Sequence, residues 1–202
     1  MNKIRFKFIR GEQVKYISHL DLMKVFERAI RRANIPVKYS QGFNPHPHLV
    51  FGLPLSVGVT SEAEYADIEI DGEITPSEFM RQINMQLPEG IKVTDAKYNG
   101  AKSNIMASVA FASYNILIKT GLDVSELREK LEEFMKNESL IVRKESKKSV
   151  RDVDIKPMIH RLELLNRETD ETIICITTLL SAGSSENLKP ELLFTALREK
   201  CI

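Results

Sequence analysis

Within residues 3–9, basic and apolar side chains alternate from Lys3 to Phe8, a period of two that is typical of a β-strand with one buried face. Ile4, Phe6 and Phe8 would face a core, and the basic side chains between them would face away from it. From residue 18 the pattern changes to apolar residues three and four positions apart, which indicates an amphipathic helix. The chain therefore begins with a strand followed by a helix.

Both ends of this first helix are marked in the sequence. Ser18 is followed three residues later by Asp21, a pattern typical of a capping box at a helix N-terminus. Pro36 cannot continue a helix, because it has no backbone donor and its ring clashes with the preceding turn. We therefore predict a helix from Ser18 to about Ala33.

The remaining elements of the first half follow in an order that indicates a fold class. Strand patterns occupy residues 37–53, with an interruption by glycine and prolines, and residues 64–70 and 91–98. Thr75 precedes a second helical pattern over residues 76–87. The resulting order, β-α-β-β-α-β, is that of a ferredoxin-like unit.

The second half partly repeats this order after a linker at residues 99–107. We predict strands at residues 109–119, 140–144, 158–165 and 172–179, and helices at residues 124–135 and 190–200. The expected fold is therefore α+β, with two tandem ferredoxin-like units at residues 1–100 and 101–202, the second of them irregular.

Charge is distributed unevenly along the first half. Residues 1–50 carry ten lysines and arginines against three acidic residues, and residues 51–100 carry three against nine. Such segregation is typical of a surface that binds an anion such as nucleic acid, or of neighbouring strands that neutralise each other. For the first strand we expect neutralisation, because the third strand of a ferredoxin-like sheet would place acidic side chains beside Lys3, Arg5 and Lys7.

The first helix carries a basic stripe on the side away from its apolar residues. Glu27 can pair with one of these bases a turn away, but one acid cannot offset four bases. We interpret the stripe as a phosphate-binding face, with an ordinary solvated surface as the alternative. Its members are Lys24, Arg28, Arg31 and Arg32.

A second basic run lies at residues 143–151. Runs of this kind usually form solvated loops, but they also contact phosphates. The candidate phosphate contacts here are Lys147, Lys148 and Arg151.

The stretch SQGFNPHPH at residues 40–48 is the most unusual part of the sequence. A proline favours an extended conformation in the residue before it, so we expect this stretch to run extended. In an extended chain Asn44, His46 and His48 would project on one side.

Three interpretations of this stretch remain open. It is a rigid proline-rich loop, or a loop that contacts RNA, or part of a metal or acid–base site in which His46 and His48 act with His19. In the RNA interpretation Phe43 stacks on a base. The hydrogen-bonding candidates are then Gln41, Asn44, His46 and His48.

The start of the first helix is a further candidate site. Ser18 and His19 lie at its first turn, where free backbone N–H groups and the helix dipole favour an anion.

The hydropathy pattern of the chain indicates its cellular compartment. No apolar run approaches the ~20 residues that cross a membrane, and the charged N-terminus lacks a signal-peptide core. We therefore expect a cytoplasmic protein with no membrane association.

Several stretches, spread along the chain, resemble the sequences of one bacterial family. They are YISHLDLM at residues 16–23, YSQGFNPHP at 39–47, GLPLSVGVTSEAEY at 52–65 and VDIKP at 153–157. The chain resembles the radical SAM-linked family, whose members are encoded beside, or fused to, a radical SAM protein with a cobalamin-type domain. The resemblance implies that the iron–sulfur cluster, SAM and cobalamin belong to that partner, so we expect no cofactor on this chain. It also implies a ribosome-linked ribonuclease in the gene neighbourhood.

Together these features predict an accessory protein that binds tRNA- or rRNA-type RNA and presents it to a radical SAM enzyme. We expect no catalytic activity of its own and no metal. Two alternatives stay open: a histidine- or metal-dependent RNA-processing enzyme, and a subunit that only docks the radical SAM enzyme.

Overall fold

The computed structural model of the chain describes residues 2–100, 104–145, 150–165, 173–183 and 186–201. The chain divides into two compact units, Met1–Ser108 and Val109–Ile202, and each unit has its own hydrophobic core. Each unit combines helices with antiparallel strands, so the predicted α+β class is confirmed. None of the helices in the described ranges is long and apolar enough to cross a membrane.

The first unit has the predicted ferredoxin-like organisation. Its strands form one antiparallel sheet in the order β2-β3-β1-β4. The elements are β1 (Asn2–Arg10), α1 (His19–Arg32), β2 (Leu49–Phe51), β3 (Ser61–Ile70), α2 (Pro76–Asn84), β4 (Ile91–Tyr98) and a short helix α3 (Ile105–Ser108).

A cluster of phenylalanine rings fixes α1 on one face of this sheet. The Phe26 ring on α1 lies 5.0 Å from that of Phe8 and 5.7 Å from that of Phe6, between ring centroids. The Phe79 ring on α2 also contacts Phe6, with 5.2 Å between the ring centroids. Such aromatic pairs each contribute about 0.5–1.5 kcal/mol beyond the burial of their area. Because the apolar stripe of α1 faces this cluster, the opposite face of the helix points to solvent.

Side-chain hydrogen bonds mark the ends of α1 and α2. The Ser18 hydroxyl accepts a hydrogen bond from the Asp21 backbone at 3.2 Å, and Thr75 forms a full capping box with Glu78. The second helix ends earlier than predicted, at Asn84. The Asn84 side chain bonds both the backbone N–H and the carbonyl of Val93, at 2.8 Å each, and so joins the end of α2 to β4.

The neutralisation predicted for the basic first strand is found at Arg5, on the other face of the sheet. Arg5 lies directly opposite Asp67 in the β1–β3 register. Its guanidinium donates hydrogen bonds of 2.7 and 2.9 Å to the two carboxylate oxygens of Asp67, which is only 3% exposed. The hydrogen bond with Asp67 raises the pKa of Arg5. Arg5 therefore forms an ion pair within the protein rather than a phosphate contact.

The second unit is irregular, as predicted. Three of its strands form an antiparallel sheet in the order β5-β9-β8, and two more form a separate ribbon, β6-β7. The elements are β5 (Phe111–Lys119), α4 (Val124–Lys136), β6 (Ile141–Glu145), β7 (Val150–Asp154), β8 (Ile159–Leu165), β9 (Ile173–Ser181) and α5 (Pro190–Lys200).

The ribbon corrects one expectation from the sequence. Residues 150–154 are a strand, although the sequence predicts no strand there and residues 150 and 151 end the basic run that favours a loop. Val153 pairs with the buried Val142 on β6, which anchors the ribbon to the core. The sequence of β7, VRDVD, is rich in charge and has no period of two, which is why its pattern did not predict a strand.

Candidate functional site

The basic stripe of α1 is exposed along its length. Lys24, Arg28, Arg31 and Arg32 are all exposed, on the side opposite the buried residues of the helix. Lys24 has an acidic neighbour, with its Nζ 3.7 Å from Asp21 Oδ1. Within the described ranges, no carboxylate forms an ion pair with Arg28 or Arg31. These two guanidinium groups are therefore the strongest candidates for phosphate contacts on this surface.

Arg32 has a different role from the other members of the stripe. It donates hydrogen bonds from Nε to Gln86 Oε1 at 3.2 Å and from Nη2 to the Gln86 carbonyl at 2.6 Å. Gln86 follows the C-terminus of α2, so Arg32 ties the ends of the two helices together. The sequence prediction treated Arg32 as a phosphate contact, but its contacts are those of a structural residue.

The loop at residues 38–48 is a closed turn rather than an extended segment. The Ser40 N–H donates to the His46 carbonyl at 2.8 Å, and the His48 N–H donates to the Lys38 carbonyl at 2.8 Å. The Ser40 hydroxyl accepts a further hydrogen bond from the His46 N–H at 3.0 Å. At the tip, Gly42 has a φ of 123°, which L side chains rarely adopt. The prediction of an extended run through Asn44 was therefore wrong.

The tip of this loop presents polar groups and one aromatic ring to solvent. Phe43 is fully exposed, with a relative accessibility of 111%, so both faces of its ring are open. Gln41 and Asn44 beside it are also exposed, while Pro47 at the base of the loop is buried. The ring therefore does not hold the loop against the core.

The two histidines of the loop contact different elements. His46 Nδ1 lies 3.2 Å from Glu27 Oε1 on α1. His48 Nδ1 lies 3.0 Å from Glu69 Oε2 on β3. α1 covers one face of the sheet, whereas Glu69 lies beside Lys3 on the other face. The prediction that these side chains share one side was therefore wrong.

His19 does not join the other two histidines. Its ring packs edge-on against Phe51, 5.5 Å between centroids, and burial together with the charge of Arg10 lowers its pKa. Among the residues that the structure describes, no three His, Cys, Asp or Glu side chains are placed to hold a metal ion. The geometry therefore gives no support to a single metal or acid–base centre built from these histidines.

Glu27 and Glu69 are the site residues that sequence reasoning missed. Glu69 accepts from His48 and lies 3.5 Å from the Lys38 Nζ, and the hydrogen bond with His48 is the main reason its pKa is lowered. One signal was available: in a ferredoxin-like sheet the second strand lies beside the third. The Glu69 N–H accordingly donates to the His48 carbonyl at 3.1 Å.

At the start of α1, where the sequence predicts an anion site, Ser18 and Asp21 bond each other. The Ser18 hydroxyl donates to Asp21 Oδ2 at 2.7 Å and also accepts from the Asp21 N–H. The hydrogen bond from the Ser18 hydroxyl to the Asp21 carboxylate is the main reason the pKa of Asp21 is lowered. Ser18 is thus part of a helix cap, and these contacts add no support for an anion site with His19.

The second basic run is only partly within the described residues. Arg151 is exposed on β7, directly opposite Lys144 on β6. Lys147 and Lys148 lie outside the described residues. Arg151 therefore stays a candidate phosphate contact, on a ribbon rather than on a loop.

The VDIKP stretch holds the second unit together. The Asp154 carboxylate accepts hydrogen bonds from the backbone N–H groups of Leu140 at 2.8 Å and Lys156 at 3.0 Å, and these bonds lower its pKa. Ile155 is fully buried in the core. This stretch is therefore explained by folding and adds no binding residue.

Comparison with known proteins places the chain in a family. No curated protein sequence matches it. Residues 3–190, which include α1, the loop and the whole core of the first unit, match the family model described as "Uncharacterized protein conserved in bacteria". The chain therefore belongs to this bacterial family, DUF2344.

Proposed function

We propose that this protein is an accessory RNA-binding protein that presents tRNA- or rRNA-type RNA to a radical SAM enzyme. The observation that carries the proposal is Phe43, a fully exposed aromatic ring on a loop that contacts the basic helix. The loop that holds this ring contacts α1 through His46 and Glu27. One surface thus combines an aromatic ring with cationic groups, which is the combination that single-stranded RNA requires.

The two parts of this surface have different tasks. Arg28 and Arg31 contact the phosphate backbone, which supplies affinity without regard to sequence. Phe43 stacks on an unpaired base, a contact that contributes about 1–3 kcal/mol. The exposed amides of Gln41 and Asn44 lie beside the ring in sequence and hydrogen-bond the edge of a base.

The loop is ordered before it meets a ligand. Pro45 and Pro47 restrict its backbone, and the hydrogen bonds between Ser40 and His46 close its base. A preordered loop loses less conformational entropy on binding than a flexible one. The same restraint explains how an apolar ring can be held in water away from the core.

The partner follows from the resemblance to the radical SAM-linked family. In that arrangement the iron–sulfur cluster, SAM and cobalamin are on the partner, and this chain supplies the RNA contact. The separation of His19, His46 and His48 favours such a non-catalytic role over a histidine-based enzyme. The cationic stripe favours RNA over a protein ligand for the same surface.

The proposal is tested by RNA binding and its salt dependence. Fluorescence anisotropy with labelled bacterial tRNA, between 50 and 200 mM salt, should show log K falling linearly with log salt. The double variant Arg28→Glu/Arg31→Glu should bind more weakly. The negative slope of log K against log salt should become smaller in size by about 1.4–1.8, since each phosphate contact contributes ~0.7–0.9 to it. Folding should be unaffected, because both side chains are exposed.

The matched control changes the net charge equally at another site. Arg198→Glu/Lys200→Glu alters two exposed bases of α5 in the second unit. This control should reduce affinity much less and leave the slope close to that of the native chain. Equal losses in the two variants, or no binding of tRNA by the native chain, would contradict the proposal. A native chain that binds the radical SAM enzyme but no RNA would indicate the docking subunit instead.

A further inference from the structure

An exposed aromatic ring lies on the face of the first sheet that points away from the helices. Both helices pack on the other face, where Phe6 of β1 contacts Phe26 and Phe79. Because side chains alternate along a strand, Lys7 of β1 points to the opposite face, and Tyr65 of β3 lies directly beside it in the register. Tyr65 is 45% exposed although β3 has a neighbouring strand on each side. A ligand on this face can therefore reach its ring.

Tyr65 differs from Tyr16 and Tyr98, which are also exposed, in what its side chain contacts. The Tyr98 hydroxyl donates to the Ile74 carbonyl at 3.0 Å, which joins the end of β4 to the segment before α2. The Lys15 Nζ lies over the Tyr16 ring, 5.2 Å from its centroid. Among the residues that the structure describes, no hydrogen-bonding, ionic or aromatic partner contacts the Tyr65 side chain. No contact of this kind explains the exposed ring.

Lysines without an ionic partner surround this ring. In the register of residues 3–7 of β1, the two acidic residues that β3 contributes to the face are already paired. Asp67 binds Arg5 at 2.7 Å, and Glu69 lies 3.5 Å from a lysine Nζ of the neighbouring segment. The charged side chains that remain on this part of the face are Lys3, Lys7, Lys97 and Asp95. None of the three lysines forms an ion pair within the described ranges, so this part of the face is basic.

We propose that this face is a second RNA-contact surface, on which Tyr65 stacks on an unpaired base and Lys7 contacts the adjoining phosphate. The inference rests on the RNA-binding function proposed above and adds a second base position to it. RNA-binding modules that have a four-stranded sheet stack bases on aromatic side chains of that sheet. A fold alone does not determine function, so the proposal depends on the aromatic ring and the lysines beside it. The excess of lysines matches the charge of an RNA strand.

The loop of the RNA surface proposed above also reaches this face. His46 contacts Glu27 of α1 on the helix side of the sheet. His48 contacts Glu69 of β3, which lies on the same face as Tyr65. These two β3 residues are four positions apart, about 13 Å along the strand at ~3.3 Å per residue. We therefore expect one RNA strand to contact the loop and then this face.

The affinity for labelled tRNA gives the first test. Tyr65→Thr removes the ring but keeps a β-branched residue that favours a strand, so the fold should be preserved. Loss of a stacked base should weaken binding roughly ten- to a hundredfold and leave the slope of log K against log salt unchanged. Tyr65→Phe keeps the ring and should bind within about twofold of the native chain. Tyr16→Thr removes another exposed ring and, as the control, should also bind within about twofold.

The salt dependence tests the proposed phosphate contact. Lys7→Gln keeps most of the side-chain stem and removes the charge. The negative slope of log K against log salt should become smaller in size by ~0.7, the contribution of one phosphate contact on a single strand. Lys200→Gln, at an exposed position of α5, is the control and should leave the slope unchanged. An unchanged slope in Lys7→Gln would overturn the proposed role of Lys7.

Photocrosslinking tests the contact in the native chain. tRNA transcribed with 4-thiouridine is bound, irradiated and digested, and the modified peptides are identified by mass spectrometry. We expect an RNA adduct on Tyr65. Unchanged affinity of Tyr65→Thr, or equal losses in Tyr65→Thr and Tyr16→Thr, would overturn the inference. If Tyr65→Thr melts well below the native chain, the absence of an adduct on Tyr65 overturns it instead.

The failure of this inference can be told apart from the failure of the proposed function. If Phe43→Ala weakens tRNA binding and Tyr65→Thr does not, the sheet face is excluded and the RNA-binding function stands. If the native chain binds no tRNA, the function itself is contradicted.

Discussion

His46 Nδ1 lies 3.2 Å from Glu27 Oε1, and this pair connects the loop at residues 38–48 to the helix that carries the basic stripe. Glu27 is 21% exposed, so the contact forms at the edge of the helix–loop junction rather than in open solvent. The neighbouring residues Lys24 and Arg28 are exposed on the same helix. The pair therefore connects the loop to the helix that carries the cationic groups with which we propose it acts.

The first prediction concerns the order of this loop. Glu27→Ala removes the carboxylate that holds His46, and we expect the amides of residues 40–46 to exchange with deuterium about two- to fivefold faster. The size follows from the modest free energy of a partly exposed pair, about 0.5–1 kcal/mol. Hydrogen–deuterium exchange with mass spectrometry measures it. Glu129→Ala, at an exposed position of α4, is the control, and equal exchange in both variants would contradict the role of Glu27.

The second prediction separates Arg32 from its neighbours on α1. Arg32→Ala loses two hydrogen bonds to Gln86, and we expect it to lower the free energy of unfolding by about 1 kcal/mol. Arg28→Ala, one helical turn earlier, should change that free energy by less than about 0.5 kcal/mol. Urea denaturation of both variants measures the difference. Equal stabilities would show that the Gln86 contact contributes nothing.

The third prediction is a pH dependence at Glu69. Hydrogen bonding to His48 lowers the pKa of Glu69 from its ordinary value of 4.5. A lowered pKa in the folded state means that the contribution of Glu69 to stability is fully present above about pH 4.5 and is lost as the pH falls through the lowered pKa. Native protein should therefore be more stable than Glu69→Gln at pH 6, and this difference should shrink below pH 4.5. Urea denaturation at several pH values measures it, and a difference that grows toward low pH would contradict the assignment.

The parts of the fold that could be predicted are those fixed by local patterns. β4 at Ile91–Tyr98 and α5 at Pro190–Lys200 have the bounds that period and capping residues predicted. The exposed stripe of α1 was also predictable, because the apolar residues of a helix determine which face is buried. The ribbon strand β7 was missed because its sequence, VRDVD, has three charged residues and two valines three positions apart, so it shows no period of two.

The geometry of the candidate site depends on contacts between residues far apart in sequence. Arg32 bonds Gln86 across 54 positions, and His48 bonds Glu69 across 21 positions. The loop closes through the positive φ of Gly42 and the Ser40 hydroxyl, whereas the sequence argument considered only what prolines do to the preceding residue. Local rules could therefore identify the residues of this loop but not the directions of their side chains.

The most direct test of the proposed RNA surface is the affinity of Phe43→Ala for labelled tRNA, measured together with its melting temperature. Because the ring is fully exposed, its removal should leave the melting temperature within about a degree of the native value. Loss of a base-stacking contact should weaken binding by roughly ten- to a hundredfold, with the slope of log K against log salt unchanged. An unchanged affinity in a normally folded Phe43→Ala protein would contradict the central claim that this loop contacts the RNA.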